Sequence, residues 1–519
     1  MYTFRTLACI TALGLALTGC SGSAPDPQPI SDAPPPLVPA MPLPHDAVDK
    51  AVARLDGIAE ELMTASGIPG MAVAVVHGGK TVYAKGFGVR DVGGQDRVGA
   101  DTVFQLASVS KSLAATVVAH QVGAGAVGWD TPLASKLNGF ALSDPDVSRM
   151  VTVGDMLAHR SGLPDHAGDK LEDLGYDRRY VLEHLRQLPL DPFRVSYAYT
   201  NFGFTAAAEA VAAGAGTSWE QLSADVLYRP LGMGSTSSLF ADYAARPDRA
   251  LAHIRIDGRY EPKYVRDADA QSPAGGASSS VNDMARWLAM VLANGSYDGR
   301  QVVDPKALLP ALTPQVVSAR ATEPAMRSGF YGYGFNVGST SAARMQLSHS
   351  GAFEIGAASN FVIIPSADVA IIALTNATPS GVPETLTAEF ADLVQFGEIR
   401  QDWRKSYADA FASMDAPEGE LVGNQPPSNP AAAKPLSSYA GVYRNDYWGP
   451  ATVTERVGKL TLALGPKLVV PLQHWDGDVF TFTLLTENAP PGSISKATFA
   501  GDKLTLEYYD DDGMGKFTL

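Results

Sequence analysis

Cysteine is almost absent from this chain of 519 residues. The only two cysteines, Cys9 and Cys20, both lie at the N-terminal end. From Ser21 onward the chain therefore has neither a disulfide nor a thiol nucleophile, which excludes a disulfide-stapled scaffold and a cysteine hydrolase. None of the nine histidines stands in an H-E-x-x-H or H-x-H motif. We therefore expect no metal site and no cofactor.

Positive charge is also in short supply. The chain has 40 Lys and Arg against 55 Asp and Glu, a net charge of −15. No cluster of basic residues stands out, which argues against a nucleic-acid partner. The G-x-S-x-G motif and complete P-loop and Rossmann glycine patterns are missing, so an α/β-hydrolase elbow and these nucleotide sites are excluded. At 45% apolar residues, the chain can bury the cores of several domains.

The apolar stretch at the N-terminus, about Leu7 to Leu17, is too short to span a membrane. It follows Arg5 and is typical of an export signal. Its end, LTGC, resembles the lipobox of bacterial lipoproteins, which implies that residues 1–19 are a signal peptide and that Cys20 is lipidated. The alternative is an ordinary signal peptide with a cysteine there by chance. Ser21 resembles outer-membrane sorting, so we expect an exported, periplasmic lipoprotein anchored to the outer membrane.

Composition divides the rest of the chain. Residues 20–45 form a proline-rich tether, with nine prolines before His45. Residues 46–414 mix helix and strand signals and form the main domain. Residues 415–435 are a linker by their proline, asparagine and glycine content. Residues 436–519 are short alternating runs between turns, a small all-β barrel or sandwich that we expect to modulate access or assembly and to carry no chemistry.

The main domain has strand signals at both ends and helix signals between them. Apolar residues at helical spacing predict a first helix over 46–63, with Asp46 as a plausible cap. Strand-like runs on both sides of His77-Gly78-Gly79 predict a hairpin. Further strand-like runs come at 345–350, 357–364 and 368–376. The fold class is therefore α/β in the α+β sense: one antiparallel sheet flanked by helices, with a helical subdomain inserted at roughly 108–295.

One lysine stands in an otherwise apolar run, FQLASVSKSL. If Ser108 opens the following helix, Ser108 and Lys111 are three residues apart and share one face. A buried lysine has a lowered pKa, so its neutral amine is accessible near neutral pH and can take the serine proton. The competing interpretation is a serine cap beside a lysine that reaches solvent. Ser493 and Lys496 repeat the S-x-x-K spacing in the all-β tail, so the motif alone is weak.

Partner residues strengthen this hypothesis. Tyr199-Thr200-Asn201 offers a phenol that can pass a proton and an amide that can orient the lysine and a substrate. His349-Ser350-Gly351 combines a strand with a glycine that allows close substrate approach. Each motif also has decoys, which are Tyr443-Arg444-Asn445 for the first and His77-Gly78-Gly79 and His166-Ala167-Gly168 for the second. Only Ser108 with Lys111, Tyr199 with Asn201, and His349 with Gly351 follow one another in this order within one domain.

These motifs resemble those of the serine β-lactamase and penicillin-binding superfamily. The variants Y-x-N and H-x-G resemble those of class C β-lactamases, D-alanyl-D-alanine carboxypeptidases, D-amino-acid peptidases and related esterases. The stretches 66–76, 152–166, 228–237 and 272–288 fit as well, so the resemblance covers about 50–397. The tail is more loosely similar to a lipocalin-like domain. The resemblance implies a β-lactamase/transpeptidase-like fold and an exported serine hydrolase.

The resemblance also implies the roles of single residues. Ser108 would be the acylated nucleophile, Lys111 its general base, and Tyr199 the proton shuttle. Asn201 would hold Lys111 and a substrate carbonyl. The backbone N–H groups of Ser108 and of Ala352, the residue after Gly351, would form the oxyanion hole.

His349 departs from the lysine that β-lactamases typically carry. Because a histidine is mostly neutral at pH 7, we expect weaker recognition of a substrate carboxylate. The expected substrates are small amides, D-amino-acid peptides, esters or β-lactams, with peptidoglycan fragments among the possible partners, and loops such as 164–180 and 316–330 choose between them. The alternative function is a non-catalytic acylation sensor or peptidoglycan-binding lipoprotein. The sequence leaves the oligomeric state open.

Overall fold

The centre of the molecule is an eight-stranded antiparallel sheet. The computed structural model describes residues 33–414 and 416–519, so the predicted signal peptide and Cys20 lie outside the described residues. The strand order is β2-β1-β14-β13-β12-β11-β10-β9, which pairs the N-terminal hairpin with the last strand of the domain. The predicted fold class, with both ends of the domain closing one sheet, is confirmed.

The strands of this domain include three short accessory pairs, β3 with β6, β4 with β5 and β7 with β8. The bounds are β1 Gly70–His77, β2 Lys80–Gly88, β3 Phe104–Gln105, β4 Ile254–Ile256, β5 Arg259–Glu261, β6 Ser278–Ser279, β7 Ser296–Tyr297, β8 Arg300–Gln301, β9 Val316–Ala319, β10 Gly329–Tyr331, β11 Asn336–Ser339, β12 Met345–Phe353, β13 Ala357–Ile364 and β14 Val369–Thr375.

Most helices lie in the segment inserted between β2 and β9. The bounds are α1 Ala47–Val52, α2 Leu55–Ser66, α3 Ser110–Gly123, α4 Pro145–Met150, α5 Val153–Leu157, α6 Asp169–Asp173, α7 Arg178–His184, α8 Asn201–Ala215, α9 Trp219–Ser223, α10 Phe240–Ala245, α11 Ser272–Gly275, α12 Val281–Leu292, α13 Pro305–Leu308, α14 Val382–Phe396 and α15 Trp403–Met414.

Both faces of the sheet are covered, which explains why β1, β13 and β14 are buried along almost their whole length. In β1, Met71, Val73 and Val75 pack into one core with α2 and α14. The alternate residues Ala72, Ala74 and Val76 pack into the other core with α3 and α12. Because successive strand residues point to opposite faces, a strand between two helical layers has no solvent-facing position.

The predicted N-terminal elements are present with two corrections. The β1–β2 hairpin turns at Gly78 and Gly79, both with positive φ, as only glycine adopts readily. The predicted first helix is two helices, α1 and α2, separated at Ala53 and Arg54. Asp46 precedes α1, but its backbone is left-handed at φ 53° and its side chain makes no capping hydrogen bond.

The C-terminal residues form a second eight-stranded sheet, in which each strand pairs with the next along the chain. Arg444, just after the first strand, exchanges backbone hydrogen bonds of 2.6 and 3.0 Å with Thr518 in the last, so the sheet closes nearly into a barrel. The prediction of a small all-β unit is confirmed. The bounds are β15 Gly441–Tyr443, β16 Ala451–Arg456, β17 Lys459–Leu464, β18 Leu468–Asp476, β19 Val479–Thr486, β20 Ala489–Ala500, β21 Lys503–Leu506 and β22 Lys516–Thr518.

This C-terminal barrel packs against the helical insert through polar contacts. The Asp173 carboxylate at the end of α6 accepts hydrogen bonds from the Thr486 hydroxyl (2.7 Å) and the Asn488 amide (3.0 Å). The Tyr176 hydroxyl donates to the carbonyl of Trp448 at 2.8 Å. The loop between β19 and β20 is thereby held against the main domain. In the described part of the chain, no helix is long and apolar enough to cross a bilayer.

Replacement of Trp287 by alanine tests the core between the sheet and the helical insert. Trp287 is fully buried, its ring lies 5.2 Å from that of Phe361 between centroids, and its indole N–H donates to Thr116. We expect Trp287→Ala to lower the free energy of unfolding by about 3–5 kcal/mol in urea denaturation, because it leaves a cavity. Val195→Ala, at an exposed position, should change it by less than about 0.5 kcal/mol. A loss for Trp287→Ala as small as that would contradict the packing described.

Candidate active site

Ser108 lies in a tight turn at the end of β3. The turn is a single 3-10 turn, Ala107–Val109, and α3 begins directly after it at Ser110. The prediction that Ser108 opens the long helix is therefore wrong by one short turn, although Ser108 and Lys111 still meet. Ala107 has a positive φ of 46°, an uncommon conformation for a residue with a side chain. The turn leaves Ser108 partly exposed.

Lys111 points out of α3 into the interior, where its side chain is completely buried. Its ammonium nitrogen Nζ lies 3.0 Å from Ser108 Oγ, 2.6 Å from Asn201 Oδ1 and 3.0 Å from the carbonyl oxygen of Ala274. Burial lowers the pKa of Lys111 to about 7, although the carboxylate of Asp169 acts in the opposite direction. A large fraction of Lys111 is therefore neutral near neutral pH.

The three neighbours of Nζ suit a neutral amine. The carbonyls of Asn201 and Ala274 can only accept, so they take two N–H groups. A neutral amine has no third hydrogen, and its lone pair is then left for the Ser108 hydroxyl, which can donate. The geometry thus allows Lys111 to take the proton of Ser108 without moving.

Asn201 is held in this orientation by a carboxylate that the sequence did not predict. Its amide nitrogen donates to Asp169 Oδ2 at 2.7 Å, which leaves the amide oxygen for Lys111. The same carboxylate oxygen is 2.8 Å from Nδ1 of His166. Burial would lower the pKa of His166, but the hydrogen bond and charge of Asp169 raise it above its ordinary value. His166, a decoy in the sequence, thus belongs to the site.

Tyr199 stands beside the lysine. Its ring centroid lies 4.5 Å from Lys111 Nζ. Burial raises the pKa of Tyr199 far above its ordinary value, which its hydrogen bond to Ser108 offsets only in part. The loop before α6 holds its backbone, because Tyr199 N–H donates to the Asp165 carboxylate and its carbonyl accepts from the N–H of His166, both at 2.7 Å. Tyr199 therefore remains a neutral phenol, able to donate a proton.

His349 is neutral. It is buried in β12, and its Nδ1 lies 2.7 Å from the carbonyl of Ser350, to which it donates. Its Nε2 lies 2.8 Å from the Tyr331 hydroxyl, from which it accepts. Burial, with the charge of Lys111, lowers the pKa of His349 to about 3. His349 thus carries no positive charge toward a substrate.

Gly351 lets β12 approach the serine turn. A Cβ at this position would lie 2.1 Å from the carbonyl oxygen of Leu106, 2.4 Å from Ser359 Oγ and 3.0 Å from the N–H nitrogen of Ser108. Strand β11 pairs with β12 only as far as Ser348, so beyond that residue the edge of β12 is open to this turn. Ala352, the next residue, lines the cleft beside Ser108.

The cleft above Ser108 has a volume of about 460 Å³, and the C-terminal barrel forms one of its walls. The barrel contributes Glu487, Asn488 and Pro490, none of which the sequence assigned to the site. No local signal could have found them, because they lie almost 380 residues after Ser108 in the chain. The barrel shapes the cleft, while the expectation that it carries no chemistry stays a prediction.

The other decoy motifs lie elsewhere. Ser493 is buried in β20, where its hydroxyl donates to Pro490 and accepts from the N–H of Glu418, whereas Lys496 pairs with Glu420 at the surface. Asn445 binds the backbone of the barrel, and His77 ends β1. Within residues 33–414 and 416–519, no group of His, Cys, Asp and Glu could hold a metal ion.

Comparison with known proteins matches two regions. Residues 55–396 match the family described as Beta-lactamase, and residues 425–508 match a domain of unknown function, DUF3471. The predicted resemblance to the β-lactamase and penicillin-binding superfamily is thereby confirmed.

Individual proteins agree with this match. The chain is 26% identical to the unguisins hydrolase ungD of Aspergillus violaceofuscus, over 83% of this chain and 82% of that protein. It is 30% identical to penicillin-binding protein 4 of Amycolatopsis lactamdurans, over 75% of this chain and 97% of that protein. Among solved structures, the octameric penicillin-binding protein homologue from Pyrococcus abyssi has the same fold, with a TM-score of 0.58 at 19% identity, over 88% of this chain and 98% of that chain.

Replacement of Gly351 by alanine tests the close approach of β12 to the serine turn. Because the added Cβ would overlap the Leu106 carbonyl, the strand must shift away from Ser108. We expect Gly351→Ala to slow covalent labelling of Ser108 by a fluorophosphonate at least about 10-fold, the loss typical of a disturbed oxyanion contact. The matched control is Gly338→Ala in β11, where a Cβ meets nothing within 4 Å. Equal labelling rates in the two folded variants would contradict this role.

Proposed function

Because the chain belongs to the beta-lactamase family of serine hydrolases, we propose that it hydrolyses its substrates through an acyl-enzyme on Ser108. The observation that carries the proposal is the position of Lys111. Its Nζ lies 3.0 Å from the Ser108 hydroxyl, with its pKa lowered to about 7 by burial. A nucleophile within hydrogen-bonding distance of a base that is neutral near neutral pH is the arrangement that nucleophilic catalysis requires.

Acylation begins when the neutral Lys111 takes the proton of Ser108. The Ser108 oxygen attacks the substrate carbonyl, and the backbone N–H groups of Ser108 and Ala352 stabilise the negative charge on the carbonyl oxygen. As the bond to the leaving group breaks, Tyr199 donates its proton to that group and recovers one from Lys111. Asn201 holds Lys111 at 2.6 Å and lines the cleft, where the second hydrogen of its amide nitrogen can bind a substrate carbonyl.

Deacylation reverses these proton transfers with water as the nucleophile. Water passes a proton through the Tyr199 hydroxyl to the neutral Lys111 as it attacks the acyl carbonyl, and Lys111 returns that proton to the Ser108 oxygen when the ester bond breaks. Lys111 and Tyr199 titrate as a coupled pair, so the proton is assigned to the pair and not to one of the two residues. No step draws on a metal or a cofactor.

The proposed substrates are small amides, D-amino-acid peptides, esters and β-lactams. Peptidoglycan fragments are among the possible substrates. Because His349 is neutral, a substrate carboxylate has no charged partner at this position. Carboxylate-bearing substrates such as penicillins are therefore expected to react slowly. An acylation sensor would have the same first step but would stop at the acyl-enzyme, so release of product distinguishes the two functions.

The first test is covalent labelling of Ser108. A fluorophosphonate should add one mass to the peptide that contains Ser108, and Ser108→Ala should abolish it, whereas Ser493→Ala should keep it. Lys111→Ala should slow acylation by at least about 10²–10⁴-fold, the contribution of a general base. Lys111→Arg should restore little, because arginine stays protonated. Labelling of Lys111→Ala at the wild-type rate would disprove the role of Lys111.

The pH dependence of acylation tests the protonation state of Lys111. Only the neutral amine is a base, so the acylation rate should be low below pH 7, rise through a pKa of about 7, and level off above it. The measurement is the rate of ester hydrolysis under single-turnover conditions across this range. A rate that keeps rising to pH 10 would indicate a lysine with its ordinary pKa and would contradict the mechanism.

Anchoring at Cys20 is part of the proposal, since LTGC resembles a lipobox. We expect the wild-type protein to partition with membranes through a lipid on Cys20, in the periplasm and at the outer membrane. Cys20→Ser should release or mislocalise it, as shown by fractionation and by the loss of the lipid mass. Unchanged membrane partitioning of this variant would contradict the lipoprotein assignment.

A further inference from the structure

A second cavity lies next to the cleft above Ser108. This cavity has a volume of about 440 Å³ and lies between the loop at 164–170 and the C-terminal barrel. His166, Asp169, Glu418 and Asn488 line both cavities, so the two cavities are adjacent and share a wall. We call the second cavity the interdomain groove.

Aromatic side chains of the barrel form one wall of the groove. They are Tyr447, Trp448 and Tyr509, and the rings of Tyr447 and Trp448 pack edge to face with centroids 4.6 Å apart. The three side chains are almost fully buried, so this wall offers a ligand a small apolar surface.

The rest of the groove is acidic. Its single lysine, Lys170, is already engaged, because Nζ lies 2.5 Å from Asp511 and 2.7 Å from the carbonyl of Tyr508. Glu418 and Asp512 also line the groove, and neither has an ion-pair partner within residues 33–414 and 416–519. Burial raises the pKa of both carboxyls, and the positive charge of Lys170 offsets this only in part.

Asp169 is a second, independent sign of a ligand that carries a hydrogen-bond donor. It is 2% exposed and lies where the cleft and the groove meet. Its Oδ2 is occupied by Asn201 and His166, whereas Oδ1 has no hydrogen-bond partner in the described chain. A buried carboxylate oxygen without a donor is costly, and a ligand that donates a hydrogen bond or carries a positive charge would relieve that cost.

The arginine of the cleft is not available to a substrate carboxylate. Arg266 lines the cleft, but its two terminal nitrogens bind both oxygens of Glu172 at 3.2 and 2.7 Å. Its Nε faces Glu487 of the barrel at 3.7 Å. Burial would lower the pKa of Arg266, but these carboxylates raise it, so Arg266 is charged and its charge is met by Glu172. Burial raises the pKa of Glu487 to about 8, so at neutral pH this barrel carboxyl adds little negative charge to the cleft.

From these observations we propose that the interdomain groove is a subsite for a positively charged group of an extended substrate. The class of substrate is then an ester or amide whose chain carries an ammonium or guanidinium group beyond the reacting carbonyl. This inference rests on the proposed serine hydrolase function, and it assigns to the C-terminal barrel the selection of substrates by charge.

Two matched pairs of esters test the proposal with the full-length mature protein. In the first, the acyl chain is hexanoate with a terminal trimethylammonio group, compared with its tert-butyl isostere, both as p-nitrophenyl esters. In the second, the charge is on the leaving group, with acetylthiocholine compared with its tert-butyl isostere. The quantity measured is the ratio of kcat/KM for the cationic and the neutral member of each pair.

At low salt we expect a ratio of about 10 or more in at least one pair, in the range that an acidic cleft gives to a cationic substrate. The ratio should fall toward one as the salt concentration rises, because screening weakens the attraction. The double variant Glu418→Gln/Asp512→Asn should lower the ratio at least about fivefold. Glu323→Gln/Asp502→Asn, which removes two exposed charges away from the groove, should keep the wild-type ratio.

Three results would overturn the proposal. Ratios near one for both pairs in the wild type would show that the groove does not select cations. An unchanged ratio in the double variant, with a melting temperature like that of the control, would place the selection elsewhere. If the protein hydrolyses no ester, including the neutral ones, the serine hydrolase function is rejected and this inference with it. If neutral esters react only when Ser108 is intact, the serine hydrolase function holds, and the ratios then test the charge selectivity of the groove alone.

Discussion

The burial of Lys111 is the constraint on which the rest of the site depends. A lysine with no exposed surface would be strongly destabilising as an isolated ammonium. Here helix α8 supplies the Asn201 carbonyl and helix α11 supplies the Ala274 carbonyl, so both N–H groups of the neutral amine have acceptors. The lone pair then faces Ser108. The same desolvation that makes this lysine costly in folding also makes it a base near neutral pH.

Asp169 links this interior arrangement to the domain interface. It fixes the Asn201 amide from one side and contacts His166 from the other, and it lies where the cleft opens toward the barrel. Four residues further along α6, Asp173 holds the loop between β19 and β20. A single short helix therefore orients the lysine's partner and anchors the second domain. Helix α6 therefore links the position of the barrel to the position of Asn201 and Lys111 beside Ser108.

Much of the fold followed from periodicity. The runs that became β13 and β14 are buried at both alternate positions, as in a strand between two helical layers, and the hairpin turn at Gly78 and Gly79 was equally clear. Boundaries were less accurate. The first helix breaks at Ala53 and Arg54, and Ser108 stands in a 3-10 turn before α3.

By itself, the sequence determined which residue types are available for chemistry and which of them share a face. Ser108 and Lys111 are three residues apart, and local geometry suffices to bring them together. Only the tertiary structure decided which distant groups join them. His166 was indistinguishable from a decoy, Asp169 had no motif, and Glu487 comes from another domain. Their roles depend on burial and on distances between chain segments that lie far apart, and no local pattern records either.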